Sequence, residues 1–200
     1  MEVAYAPGRV ADVVGDGPTV LLWHGSGPNE RHALARLATA VATSGHRTVT
    51  PDWDVTSSDG GRADLLTSLR FARETADHDP DGLVLVGWSR GGVAAASLTL
   101  NQRRLGVGLA RTVCVAAAPF PRADPISGAM LGPASPPVAR GTTVAFVTGL
   151  RDERTPIDEV RAVHRQWNHA GWPTTLHELD ADHFSVVEDH AEDVAAVVVS

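Results

Sequence analysis

The sequence predicts an α/β protein, a three-layer α/β/α sandwich around a mostly parallel central sheet. Three observations carry this. Short β-branched runs alternate along the chain with longer stretches of helical periodicity. The short runs are almost continuously apolar, as strands covered on both faces must be. The chain has 200 residues, room for one domain whose core needs no metal or disulfide staple.

Each element has its own signal. Thr19-Val-Leu-Leu-Trp23 is the first clear strand. Residues 29–44 read as a helix, with Leu34, Leu37, Ala38 and Val41 at helical spacing and Gly45 as the stop. Residues 46–50 form a second strand, and a polar loop spans 51–61. Residues 62–76 are amphipathic, with Leu65, Leu66, Leu69 and Ala72 on one side. Residues 82–86 are a buried strand, and 90–101 an alanine-rich helix. Strands follow at 111–117 and 142–148. Residues 156–171 are helical, with proline in the first turn. Residues 174–179 are the sixth strand, and 184–199 the closing helix. The first eighteen residues have room for one or two short edge strands. Residues 118–141 carry six prolines and no periodicity, so they read as a loop insertion or small cap. No second domain boundary is visible, so residues 1–200 are expected to form a single domain.

Composition removes several classes. Seventeen basic against twenty-four acidic residues leave a net charge of −7, which argues against nucleic-acid binding and a basic membrane patch. One cysteine, Cys114, excludes intrachain disulfides and thiol-rich zinc sites. No apolar run approaches the ~20 residues of a membrane span. Met1 to Val14 lacks a basic segment leading into an apolar one, so a cytoplasmic location is expected. Every basic residue is arginine, so no lysine is available as a base or Schiff-base former.

The chemistry gathers at four places. Gly87-Trp-Ser-Arg-Gly-Gly92 stands between a strand and a helix. This is G-x-S-x-G in its required context, where a sharp turn presents Ser89 and side chains at Gly87 and Gly91 would collide. A bare helix cap would use the same residue types. His24-Gly-Ser-Gly27 follows the first strong strand. Acyl transfer needs two donors for an oxyanion, and the N–H groups of Ser26 and Arg90 are the candidates. His24 itself reads as structural. Asp152 follows the fifth strand, at the edge where open α/β sheets place their sites. Its rival is Asp124, and its bland reading is a helix cap. His183 follows the last strand, on a loop able to reach the serine, unlike His164, His169, His177 and His190 within regular elements. The order Ser89, Asp152, His183 is the Ser…Asp…His order of one hydrolase architecture.

With these motifs the chain resembles the α/β-hydrolase superfamily, in its small lidless esterase or dienelactone-hydrolase-like form. The resemblance spans nearly the whole chain, from Thr19 to the last helix. It implies a minimal α/β-hydrolase fold without a large lid and a Ser89–His183–Asp152 triad. The implied function is hydrolysis of carboxylic esters or thioesters through an acyl-enzyme. A thioesterase, acyltransferase or cyclising enzyme with the same triad is the alternative, and a non-catalytic binding module a third reading. Dienelactone hydrolases usually carry a cysteine nucleophile, so Ser89 moves the chain toward esterases. Expected partners are a small-molecule ester or thioester, with no nucleic acid or membrane, and oligomeric state stays open. No cofactor and no metal are expected, since neither a P-loop lysine nor H-E-x-x-H spacing occurs. Arg90 either draws an anionic substrate or, the favoured reading, packs outward or pairs with an acid. Asp52 to Asp54 either border the pocket or form a solvated turn. Cys114 reads as an inert buried thiol, and Trp167 and Trp172 as packing residues. About two dozen residues for a cap imply a shallow, open site.

Overall fold

The computed structural model describes residues 1–76, 82–118, 121–137 and 141–200. Among these are eight strands: β1 (Glu2–Ala6), β2 (Arg9–Val14), β3 (Thr19–Trp23), β4 (Arg47–Pro51), β5 (Val84–Trp88), β6 (Arg111–Val115), β7 (Thr143–Gly149) and β8 (Thr174–Leu179). Five α-helices accompany them: α1 (Ala35–Thr43), α2 (Arg62–Glu74), α3 (Arg90–Leu105), α4 (Ile157–His169) and α5 (Ala191–Val199). One sheet holds all strands in the order β1-β2-β4-β3-β5-β6-β7-β8. β1 and β2 pair antiparallel, as do β2 and β4; from β4 through β8 every pairing is parallel.

The period of two along the strands divides the core. Val20 and Leu22 of β3, with Val113 and Val115 of β6, face α1 and α5 through Leu37, Val41, Val194 and Val198. Leu21 and Trp23 face the other way, onto Leu65 and Leu69 of α2 and Ala94 and Leu98 of α3. Cys114 and Phe146 continue that layer under Val160, Val163 and Trp167 of α4. Each such aliphatic side chain contributes about 1.5–3 kcal/mol when fully buried. Trp167 and Trp172 are buried packing residues, as the sequence suggested. Burial pushes the Cys114 thiol up to about 12, so it stays protonated.

Several boundaries differ from the sequence reading. The expected helix over 29–44 begins as a 3-10 turn, Arg31–Leu34, and becomes α-helical only at Ala35. The strand expected at 82–86 runs two residues further, so Gly87 and Trp88 are still sheet. α3 extends to Leu105 and stops at Gly106, whose left-handed φ of 63° suits glycine. The closing helix starts at Ala191, not 184. Asp182 accepts hydrogen bonds from the backbone N–H groups of Phe184 and Ser185, which fixes a turn there instead. The expected edge strands are real. Their anchor is Arg31, whose guanidinium bonds Asp52, Asp12 at 3.0 Å and Glu2 at 2.6 Å. Asp52 is thus committed to an ion pair. Trp53 beside it is fully buried, and neither borders the cavity described below. The expected cap over 118–141 falls partly on residues 119–120 and 138–140, outside the described residues. Within the remainder, Ala123 and Met130 form an isolated bridge.

Candidate active site

The topology fixes where a site forms. After β3 the chain lays β4 on one side, then crosses to lay β5 on the other. That reversal opens a crevice beyond the carboxyl ends of β3 and β5. The loop at His24 and the turn at Ser89 are the residues that leave those ends.

Ser89 has φ 55° and ψ −119°, a conformation a non-glycine residue adopts only under constraint. Its N–H donates to Val115 O on β6 at 2.8 Å, and its carbonyl accepts from Gly92 N at 3.0 Å. The glycines explain how the turn closes. A Cβ on Gly87 would stand 2.1 Å from Gly91 O, so the collision across the turn is real. A Cβ on Gly91 would instead strike Trp23 O at 2.2 Å and His24 O at 2.4 Å. Gly91 therefore lets α3 approach β3, a different role from the one expected. Gly92 meets Ala117 in the same way, at 2.4 Å.

His183 lies beside the serine. Its Nε2 is 3.0 Å from Ser89 Oγ, and its Nδ1 is 2.8 Å from Asp152 Oδ2. The other oxygen of Asp152 accepts from the backbone N–H groups of Arg154 and Thr155, both at 2.9 Å. The Asp152 side chain is fully buried, and that of His183 is 7% exposed. A carboxylate acceptor fixes the proton on Nδ1 and leaves Nε2 with a lone pair toward the serine. Asp124, the rival acid, instead accepts from Ile126 N–H at 2.7 Å within its own turn. His190 pairs with Asp193, and His177 stays in β8.

The loop after β3 completes the wall. A Cβ on Gly25 would lie 3.3 Å from Ser89 Cβ, so this backbone passes directly over the serine. Ser26 and Arg90 both line the cavity beside Ser89 and His183, whose volume is about 450 Å³. The N–H of Arg90 belongs to the first turn of α3, where donors lack intrahelical acceptors. His24 is structural, as expected: it stacks on Trp53, and its Nε2 accepts from Trp53 N–H at 3.1 Å. Its proton therefore sits on Nδ1, which donates to Gly25 O at 3.0 Å. Burial lowers its pKa from 6.5 to about 4.

Three supports were not legible in sequence. Trp88 Nε1 donates to His183 O at 2.9 Å, tying the serine's turn to the histidine loop. Gly149 lacks a side chain because Ala181 O would sit 2.2 Å from its Cβ. That contact seats the acid's loop against the histidine's. Thr155 Oγ1 donates to Ala116 O at 3.1 Å and joins the acid's loop to the end of β6. A tryptophan beside the serine and a glycine ending β7 were visible, but their partners are 95 and 32 residues away in sequence.

No protein-family model matches the chain, and none of the curated proteins does. Solved structures do. An S-formylglutathione hydrolase from Staphylococcus aureus aligns over 100% of this chain and 96% of its own, with TM-score 0.73 and 13% identity. An alpha-beta serine hydrolase homologue from Coxiella burnetii aligns over 100% and 94%, with TM-score 0.71 and 18% identity. A thioesterase domain from the curacin biosynthetic pathway aligns over 96% and 95%, with TM-score 0.68 and 16% identity. The chain has the α/β-hydrolase fold.

Proposed function

We propose that the protein is a serine hydrolase that cleaves small carboxylic esters or thioesters. The observation that carries this is the unbroken hydrogen-bond line from buried Asp152 through His183 to Ser89. His183 Nε2 takes the proton as Ser89 Oγ attacks the carbonyl carbon. The N–H groups of Ser26 and Arg90 receive the oxyanion. His183 then passes its proton to the leaving alcohol or thiol, and the acyl group stays on Ser89. Water, deprotonated by His183, releases the acid. Asp152 holds the ring and offsets the charge of the imidazolium. No lysine exists to share this proton traffic. An esterase and a thioesterase domain among the structural neighbours are in keeping with this reading.

The test is covalent labelling with a fluorophosphonate together with turnover of p-nitrophenyl acetate. Labelling on Ser89 is expected, with both signals lost in Ser89→Ala. Equal labelling of that variant would sink the proposal. A non-catalytic binding module predicts no turnover by either protein. Added alcohols or amines separate hydrolysis from acyl transfer, and free acid as sole product is the outcome expected.

A further inference from the structure

The cavity around Ser89 carries an unusual balance of charge for so acidic a protein. Arg90, Arg122 and Arg154 line it, against one carboxylate, Glu30, among the described residues. Arg122 is already engaged by Glu159 at 2.7 Å. The other two have no carboxylate hydrogen-bonded to their guanidinium groups among the described residues.

Arg90 is the telling one. It is half-buried at the root of α3, and its Nε is shut off from solvent without a hydrogen-bond partner. Burial lowers its pKa; Asp124 attracts it and Arg122 repels it. Asp124 spends one oxygen on Ile126 N–H and makes no ion pair with Arg90. A buried donor left unsatisfied costs free energy that an acceptor would return. In the core the same problem is solved within the chain, where Arg31 meets three carboxylates. At Arg90 the described residues provide no such partner. Arg154 is exposed, its guanidinium 4.7 Å from the centre of the Phe184 ring. That ring holds the cation at the cavity wall without neutralising it.

We propose that the substrate carries an anionic group, a carboxylate or a phosphate, beside its ester bond, and that Arg90 and Arg154 hold it. This rests on the hydrolase reading and adds a substrate class to it. The backbone N–H of Arg90 serves the oxyanion while its side chain serves the anion. The two tasks belong to different atoms, so they are separable by substitution.

The experiment compares 4-acetoxybenzoate with its methyl ester, two acetyl esters differing by one charge. Each kcat/KM is divided by that ester's own rate with hydroxide. The expected wild-type ratio favours the anion by about tenfold or more, the scale of one charge-assisted hydrogen bond. It should shrink as ionic strength rises. Arg90→Gln and Arg154→Gln should each lower the ratio about fivefold or more, and the double variant should bring it near one. Damage to the chemical step cancels in the ratio. A wild-type ratio near one, or a ratio that both variants leave unchanged, overturns the proposal. Binding needs no turnover and covers the case in which the hydrolase reading fails. The ketone 4-propanoylbenzoate should bind wild-type protein more tightly than 4-propanoylbenzamide, and equal affinity overturns the proposal. Competition between 4-propanoylbenzoate and 4-propanoylphenyl phosphate decides between carboxylate and phosphate.

Discussion

Ser89 holds a backbone conformation that costs roughly 1–3 kcal/mol, and its neighbours maintain it. Val115 O receives its N–H, Gly87 leaves room for the turn to close on Gly91 O, and Gly91 and Gly92 let α3 pack against β3 and Ala117. Asp152 is equally over-determined, because two backbone N–H groups occupy one oxygen and His183 the other. In Asp152→Asn those two N–H groups would keep the amide oxygen, turning the NH₂ toward His183. Nδ1 must then become the acceptor and Nε2 carries the proton, so the base is lost. A fall in kcat of about four orders of magnitude is expected from ester turnover, with the fold intact by circular dichroism. Gly149→Ala probes a different residue-scale contact. Its Cβ needs the space of Ala181 O, two residues before His183. A loss of about 1–3 kcal/mol in urea unfolding is expected, with kcat falling more than KM changes. A variant with full activity would refute the role given to this contact.

Elements show where sequence reasoning succeeds and where it stops. β3 was readable to the residue, because an apolar run of β-branched and aliphatic residues has one stable use in a sheet covered on both faces. β1 and β2 were only faintly visible. Their residues are half-exposed, and Arg31 in the 3-10 turn supplies much of what holds them. Removing that guanidinium strands Asp52, which is 3% exposed, as a buried charge without its partner. Arg31→Leu should therefore cost about 3–5 kcal/mol in urea unfolding. Hydrogen exchange should show the loss first at β1 and β2. The closing helix begins seven residues later than the sequence predicts. Asp182 takes two of the backbone donors for itself and bends the segment that carries His183.

At the scale of the whole molecule, folding joins loops from β3, β5, β7 and β8 at one edge of the sheet, and His24 is buried in the process. Its folded pKa of about 4 lies below the 6.5 of an unfolded histidine. Between those values the unfolded chain binds a proton that the folded chain refuses, so stability falls as pH drops from 6.5 through 4. The full contribution is roughly 3 kcal/mol. Wild-type protein should lose that much more stability than His24→Gln when urea unfolding at pH 7.5 is repeated at pH 4. Equal losses would show that His24 is not buried neutral. The sequence by itself determined the sheet, the two helical layers and the order Ser89, Asp152, His183, because periodicity and turn chemistry are local properties. Only the tertiary structure decided that Asp152 rather than Asp124 meets His183, that Trp88 and Gly149 brace them, and that Arg90 lines the cavity. Those are contacts between residues far apart in the chain, set by the packing of loops that no local pattern encodes.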